Sequence, residues 1–193
     1  MSGQPGRKRD ETSRQAILDT TFALLKEEGF DRLSVEGIAA RAGVGKTTIY
    51  RWWASKGILA VEAFLAAVEP SIAFVDSGSP QHDVVLQMQS LAAVYRGPTG
   101  RLVREMIGAA QHDEAMRGAF LAGFLEPRRE QARGVIRRGI DTGIFRPDVD
   151  LDVAIDAFWA PIYYRLLISS ASLDETAIAA HAAIMLRGLR PDA

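Results

Sequence analysis

Lys46, Thr47, Thr48, Tyr50 and Arg51 fall within six consecutive positions, with Trp52 and Trp53 directly after them. These side chains suit a polyanion that carries bases. Arginine bonds O6 and N7 of guanine as a pair, and threonine offers a hydroxyl and a methyl for thymine. Lysine and tyrosine reach phosphate oxygens. Lys56 stands near the expected start of another helix, where a cation and free backbone N–H groups would together clamp a phosphate.

The residues just upstream supply a joint for presenting that face. Ala39, Gly43 and Ile49 are spaced as a small residue, a turn glycine and an aliphatic plug. Two short helices crossing steeply need all three, with Val44 covering the turn and glycine supplying positive φ. Ser34 is placed to cap the first of these helices, which buries Val35, Ile38 and Ala39; Ala42-Gly43 ends it. The second runs from about Gly45 to Trp53. The spacing therefore predicts a helix-turn-helix with an exposed polar face.

Other elements follow from the same periodicity. Thr12-x-x-Gln15 is a capping box for a first helix with Ile17, Leu18, Thr21, Phe22 and Leu25 on one stripe. Gly29 and Phe30 are its stop. Ser55 caps a fourth helix that is apolar nearly all round, so it is expected to be buried between two domains. Residues 76–80 read as a linker. Beyond it, helices are expected at about 82–96, 100–111, 114–124, 127–142, 150–170 and 173–189. Pro161 should kink the fifth of these, and Ser172-x-x-Glu175 should cap the last. Good helix formers outnumber β-branched residues and strict alternation is nearly absent, so the fold class is all-α.

Composition excludes several chemistries. The 193 residues contain no cysteine, which removes disulfides, thiolate metal sites and cysteine nucleophiles. His82, His112 and His181 match no metal-ligand spacing. No metal, cofactor or catalytic activity is expected. No apolar run approaches the roughly 20 residues of a bilayer span, and the polar N-terminus lacks the apolar core of a secretory signal. A cytoplasmic protein without membrane association is the expectation. Net charge is −1, yet residues 1–56 carry +3 and residues 57–193 carry −4. A basic N-terminal module on an acidic body suits contact with a polyanion.

Residues 12–65 resemble the DNA-binding domain of the TetR family of transcriptional regulators. The resemblance rests on Gly29-Phe30, Ser34-Val35, Ile38-Ala39, Ala42-Gly43-Val44, Tyr50 and Lys56. Trp53 stands where the family usually has Phe, and Gly57 where it usually has Glu. The match covers about a quarter of the chain. It implies a flexible basic arm (1–11), a three-helix DNA-binding domain (12–56) with a connecting helix (56–69), and a larger helical domain (70–193) for effector binding and dimerisation. It implies a homodimeric repressor, released from a palindromic double-stranded DNA operator by a small-molecule effector. The DNA-contacting set is then Ser34, Lys46, Thr47, Thr48, Tyr50, Arg51, Trp52 and Lys56. The arm's Arg7, Lys8 and Arg9 would add phosphate or minor-groove contacts.

The effector cavity is expected among Met88, Leu91, Leu102, Met106, Phe120 and Phe124, with Trp159, Tyr163 and Tyr164 offering polar handles on aromatic bodies. Leu151, Ile155, Phe158, Ile162 and Leu166 form one stripe at helical spacing. Ile178, Met185 and Leu189 belong to another, and the two would pack against their twofold mates. Other patterns point elsewhere. Residues 40–47 fit a relaxed phosphate-loop pattern, which would make a nucleotide hydrolase, but their upstream residues have helical rather than strand spacing. A helical small-molecule-binding protein without DNA binding is the other alternative. His112-Asp113-Glu114 reads as a turn, and the run from Arg128 to Arg138 as a solvated helix face.

Overall fold

Pro5 opens the first helix. Its fixed φ suits a first helical position, where its missing N–H costs nothing. A computed structural model describes residues 5–191, with side chains from Asp10 onward. In it α1 spans Pro5–Glu28. The expected start at Thr12 is therefore too late: Thr12 lies inside the helix, and residues 5–11 continue it rather than forming an arm. Residues 1–4 of that arm lie outside the described residues. Thr21 is fully buried on α1, and its hydroxyl donates to the Ile17 carbonyl at 2.7 Å.

The remaining helices are α2 (Val35–Ala42), α3 (Lys46–Trp52), α4 (Lys56–Val68), α5 (Pro80–Arg96), α6 (Pro98–Ala110), α7 (Glu114–Phe120), α8 (Glu126–Asp141), α9 (Leu151–Tyr164) and α10 (Glu175–Gly188). A 3-10 turn follows α4, and π-helical turns occupy Leu121–Leu125 and Arg165–Ser169. There is no strand among the described residues, so the all-α expectation holds. No helix among them is long and apolar enough to cross a membrane.

The chain divides into two units. One comprises residues 1–68 and 105–124, the other residues 69–104 and 125–193. The expected boundary near residue 70 thus misses residues 105–124, which pack with the N-terminal helices. This explains why α4 is apolar nearly all round. It packs on α1 and also on α7, inside one unit. Phe64 of α4 meets Phe124 edge-on at 6.4 Å, and Phe120 lies 5.1 Å from Phe124.

In the second unit, residues 76–80 are anchored rather than free. Buried Asp83 accepts hydrogen bonds from the Ser77 amide (2.9 Å) and hydroxyl (2.6 Å), and Arg138 donates to it at 2.9 Å. Burial alone would raise the Asp83 pKa. The bonds from Ser77 and the Arg138 charge outweigh that and hold it below the ordinary carboxylate value. The last helix is capped by Asp174, whose carboxylate accepts from the Ala177 amide at 2.8 Å. Ser172, the expected cap, instead donates to Asp174.

Candidate functional site

The joint between α2 and α3 is built as its residues require. Ser34 is extended and its hydroxyl accepts from the Gly37 amide at 3.1 Å, satisfying an otherwise unpaired helix N–H. Gly43 takes φ 67°, and the Val44 amide donates back to the Ala39 carbonyl at 3.0 Å. Ile38, Ala39 and Ile49 are buried at the joint. Gly45 starts α3 directly behind α2, so no strand precedes residues 40–47 and no phosphate loop can form there.

Behind α3, Trp53 is buried and its indole N–H donates to Glu62 at 2.7 Å; Arg14 of α1 also donates to Glu62. Anchored from behind by Ile49 and Trp53, the helix exposes Lys46, Thr47, Tyr50, Arg51 and Trp52, with Thr48 half-buried. Tyr50 and Trp52 are 53% and 40% exposed, unusual for aromatic side chains of this size.

The cations of this face already hold carboxylates. Arg51 donates to Asp10 of α1 at 2.9 Å and lies over the Trp52 ring at 5.6 Å. Lys46 donates to Glu36 at 3.0 Å; that bond lowers the Glu36 pKa and raises that of Lys46. Lys56 differs from the expectation. It is half-buried and turned inward, donating to the Leu33 and Phe30 carbonyls at 3.1 and 3.4 Å, with its ammonium 4.8 Å from the Phe30 ring centre. The α1–α2 turn offers it carbonyls and an aromatic face, which a phosphate would have to replace. Ser34 is exposed, but its hydroxyl is committed to the cap.

The second unit contains a cavity of about 230 Å³. Of the residues expected at an effector cavity, Trp159, Tyr163 and Leu91 line this one, together with Phe74, Gln87 and Arg128. The other expected residues do not. Met88, Leu102 and Met106 are buried elsewhere in the core, Phe120 and Phe124 pack in the helix-turn-helix unit, and Tyr164 is 58% exposed. Trp159 donates its indole N–H to Gln87. The Tyr95 hydroxyl donates to that of Tyr163 at 3.1 Å, and burial raises both phenol pKa values, so both keep their protons at neutral pH. Arg128 donates to the Ile72 carbonyl. Burial lowers its pKa, and it does not sit on a solvated face as its arginine-rich run suggested.

The stripe expected at a dimer interface is mostly this protomer's own core. Ile155, Phe158, Ile162, Leu166 and Ile178 are all buried, while Leu151, Met185 and Leu189 are half-buried. Packing of α9 on α8, α5 and α10 accounts for this. The exposed apolar side chains of the region are Val153, Tyr164, Leu167, Ile168 and Ile184.

Two family models match the chain. Residues 17–63 match that of bacterial regulatory proteins of the tetR family, and residues 74–184 match a tetracyclin repressor-like C-terminal domain. YdeS of Bacillus subtilis (strain 168), an uncharacterized HTH-type transcriptional regulator, is 38% identical over 176 residues, covering 91% of this chain and 89% of that protein. The chain belongs to the TetR family of transcriptional regulators. The DNA-binding transcriptional repressor TetR of Mycobacteroides abscessus is 30% identical over 162 residues, 83% of this chain and 85% of its own. The crystal structure of the TetR family transcription regulator SCO0332 superposes with a TM-score of 0.82 at 37% identity, covering 93% of this chain and 99% of that one.

Within this TetR-family chain the departure at Gly57 has a local cause. Gly57 is buried, and a Cβ there would stand 3.1 Å from the Met116 side chain of α7. Met116 occupies the room that a larger residue would need. Sequence reasoning missed Arg128, Gln87 and Phe74 at the cavity. The signal available for Arg128 was its place at the start of a long arginine-rich helix, too weak to separate one arginine from the rest; Arg129, Arg133 and Arg138 are half-buried like it, and Arg137 is exposed.

Proposed function

We propose that this TetR-family regulator binds its operator as a homodimer, reading bases through the exposed face of α3. Lys46, Thr47, Tyr50, Arg51 and Trp52 form the contact set, with Thr48 at its edge. Lys56 and Ser34 act behind them, Lys56 by bracing the α1–α2 turn and Ser34 by capping α2. The carrying observation is that α3 is fixed from behind by Ile49 and Trp53 while five polar or aromatic side chains face outward. The twofold partner docks on Val153, Tyr164, Leu167, Ile168 and Ile184, and a small molecule in the cavity lined by Trp159 and Tyr163 releases the operator, relieving repression.

Selection of genomic fragments bound by the protein tests this reading. A palindromic site should emerge, and its affinity should fall steeply with salt, because Lys and Arg displace condensed counterions. Absence of any selected site, with the protein folded, would favour a ligand-binding protein that no longer reads DNA.

A further inference from the structure

The effector class follows from which groups of the cavity wall are already committed, in an inference that rests on the cavity being the effector site. Its volume, about 230 Å³, is roughly one and a half times the ~150 Å³ of an engineered apolar cavity that holds benzene. One substituted ring or two fused rings fit. Phe74, Leu91, Ile155 and Trp159 are apolar parts of the wall, and the ring centres of Phe74 and Trp159 stand 5.9 Å apart.

The charges of the wall are met by the protein itself. Arg128 donates to the Ile72 carbonyl, and the carboxylate of Glu69 favours its charged form. Arg129 holds Asp156 and, at 2.9 Å, Asp152. An anionic ligand would have to draw a guanidinium from these partners and would face Asp156. A cationic ligand would face both guanidinium groups. The second Asp156 oxygen is not engaged by Arg129, but that side chain is 64% exposed, where water competes for it. An ion of either sign would therefore give up its water without a free buried counter-charge, which is unfavourable.

Deeper in the wall, Gln87 is engaged at both ends of its amide. Its oxygen accepts from Trp159, and its nitrogen donates to the Ile72 carbonyl at 3.4 Å. Tyr163 differs. Its oxygen accepts from Tyr95 at 3.1 Å, so its own proton points away from Tyr95. Tyr163 lines the cavity and Tyr95 does not, which leaves the Tyr163 hydroxyl as a donor for a ligand.

We infer that the effector is a neutral aromatic carbonyl compound, its ring beside Trp159 and Phe74 and its carbonyl oxygen accepting from the Tyr163 hydroxyl. A carbonyl only accepts, so it brings no donor that the enclosed part of the wall would have to satisfy. A ligand hydroxyl would bring one, and the open acceptor for it is Asp156 at the exposed rim.

Calorimetric titration of the full chain with four naphthalene probes tests this: acetylnaphthalene, its hydrocarbon isostere isopropenylnaphthalene, naphthoate and naphthylmethylammonium. The ketone should bind about fivefold tighter than the hydrocarbon, as for one neutral hydrogen bond. It should bind about tenfold tighter, or more, than either ion. In Tyr163→Phe the preference over the hydrocarbon should shrink to within about twofold, while the preference over the ions stays. An unchanged preference in that variant would overturn the bond to Tyr163. Should Tyr163→Phe fail to fold, the four probes on the unaltered protein still decide. An ion or the hydrocarbon binding as tightly as the ketone would overturn the neutral carbonyl and leave the cavity as an effector site. Binding of none of the four would overturn both.

Discussion

The guanidinium of Arg51 on α3 donates to the carboxylate of Asp10 on α1, 2.9 Å away, on the face proposed to meet DNA. Both side chains are about half exposed, where an ion pair contributes little to stability, about 0–1 kcal/mol. The pair matters more as a competitor. To reach a base or a phosphate, Arg51 must leave Asp10, and the carboxylate then repels the incoming phosphates.

Asp10→Asn should therefore raise operator affinity several-fold and leave the melting temperature within a degree or two. A DNA titration and a thermal melt on the same preparation check both. Unchanged affinity would mean that Arg51 does not exchange Asp10 for DNA.

Lys56→Met separates bracing from phosphate contact. Loss of the bonds to Leu33 and Phe30 and of the stacking on Phe30 should cost about 1–2 kcal/mol of stability. The slope of log affinity against log salt should stay the same. A slope reduced by about 1 would restore Lys56 as a phosphate ligand.

Restoring the glutamate usual at position 57 should harm this chain. Gly57→Glu drives a side chain into Met116, and overpacking of this kind costs about 1–3 kcal/mol. Met116→Ala should recover part of the loss in the double variant, which a double-mutant cycle by denaturant unfolding would read as a coupling. Simple additivity would locate the cost elsewhere.

How much was legible in the sequence follows from how local each signal is. The Ser34 cap, the Gly43 turn and the exposed α3 face are set by residues within about 20 positions of one another, and the structure has them as expected. Stripes on α9 and α10 were legible as apolar faces, but periodicity cannot say what covers them. Ile155, Phe158 and Ile162 face their own protomer, and the exposed face begins two residues away at Val153. The cavity needed residues from α5, α8 and α9 plus Phe74, a meeting that no spacing announces. The return of residues 105–124 to the N-terminal unit was likewise invisible, since Met116 shows its role only beside Gly57.

That difference in facing gives a prediction. Ile184→Glu, on an exposed site, should give a folded monomer with weakened operator binding. Phe158→Glu should unfold the protomer, because it buries a charge in a closed core. Light scattering and circular dichroism distinguish the two. A dimeric Ile184→Glu would move the interface off this face.

Asp83 predicts the acid limb of stability. Its folded pKa lies below the ordinary value, so it stabilises the fold at pH above the unfolded pKa of about 3.9. That contribution is lost as pH falls through the folded value. Asp83→Asn should cost about 2 kcal/mol at neutral pH, given the charged bond to half-exposed Arg138, and should flatten the loss of stability below pH 5. Identical acid limbs in both proteins would contradict the assignment.

The central claim is that α3 reads the operator. It is tested most directly by titrating Arg51→Ala against the selected palindrome and against the same palindrome with each symmetric pair of base pairs changed in turn. The account predicts a loss of about 1–3 kcal/mol per half-site, with discrimination relaxed at one symmetric pair of positions and kept at the others. Affinity and base preference both unchanged, in a folded dimer, would contradict it.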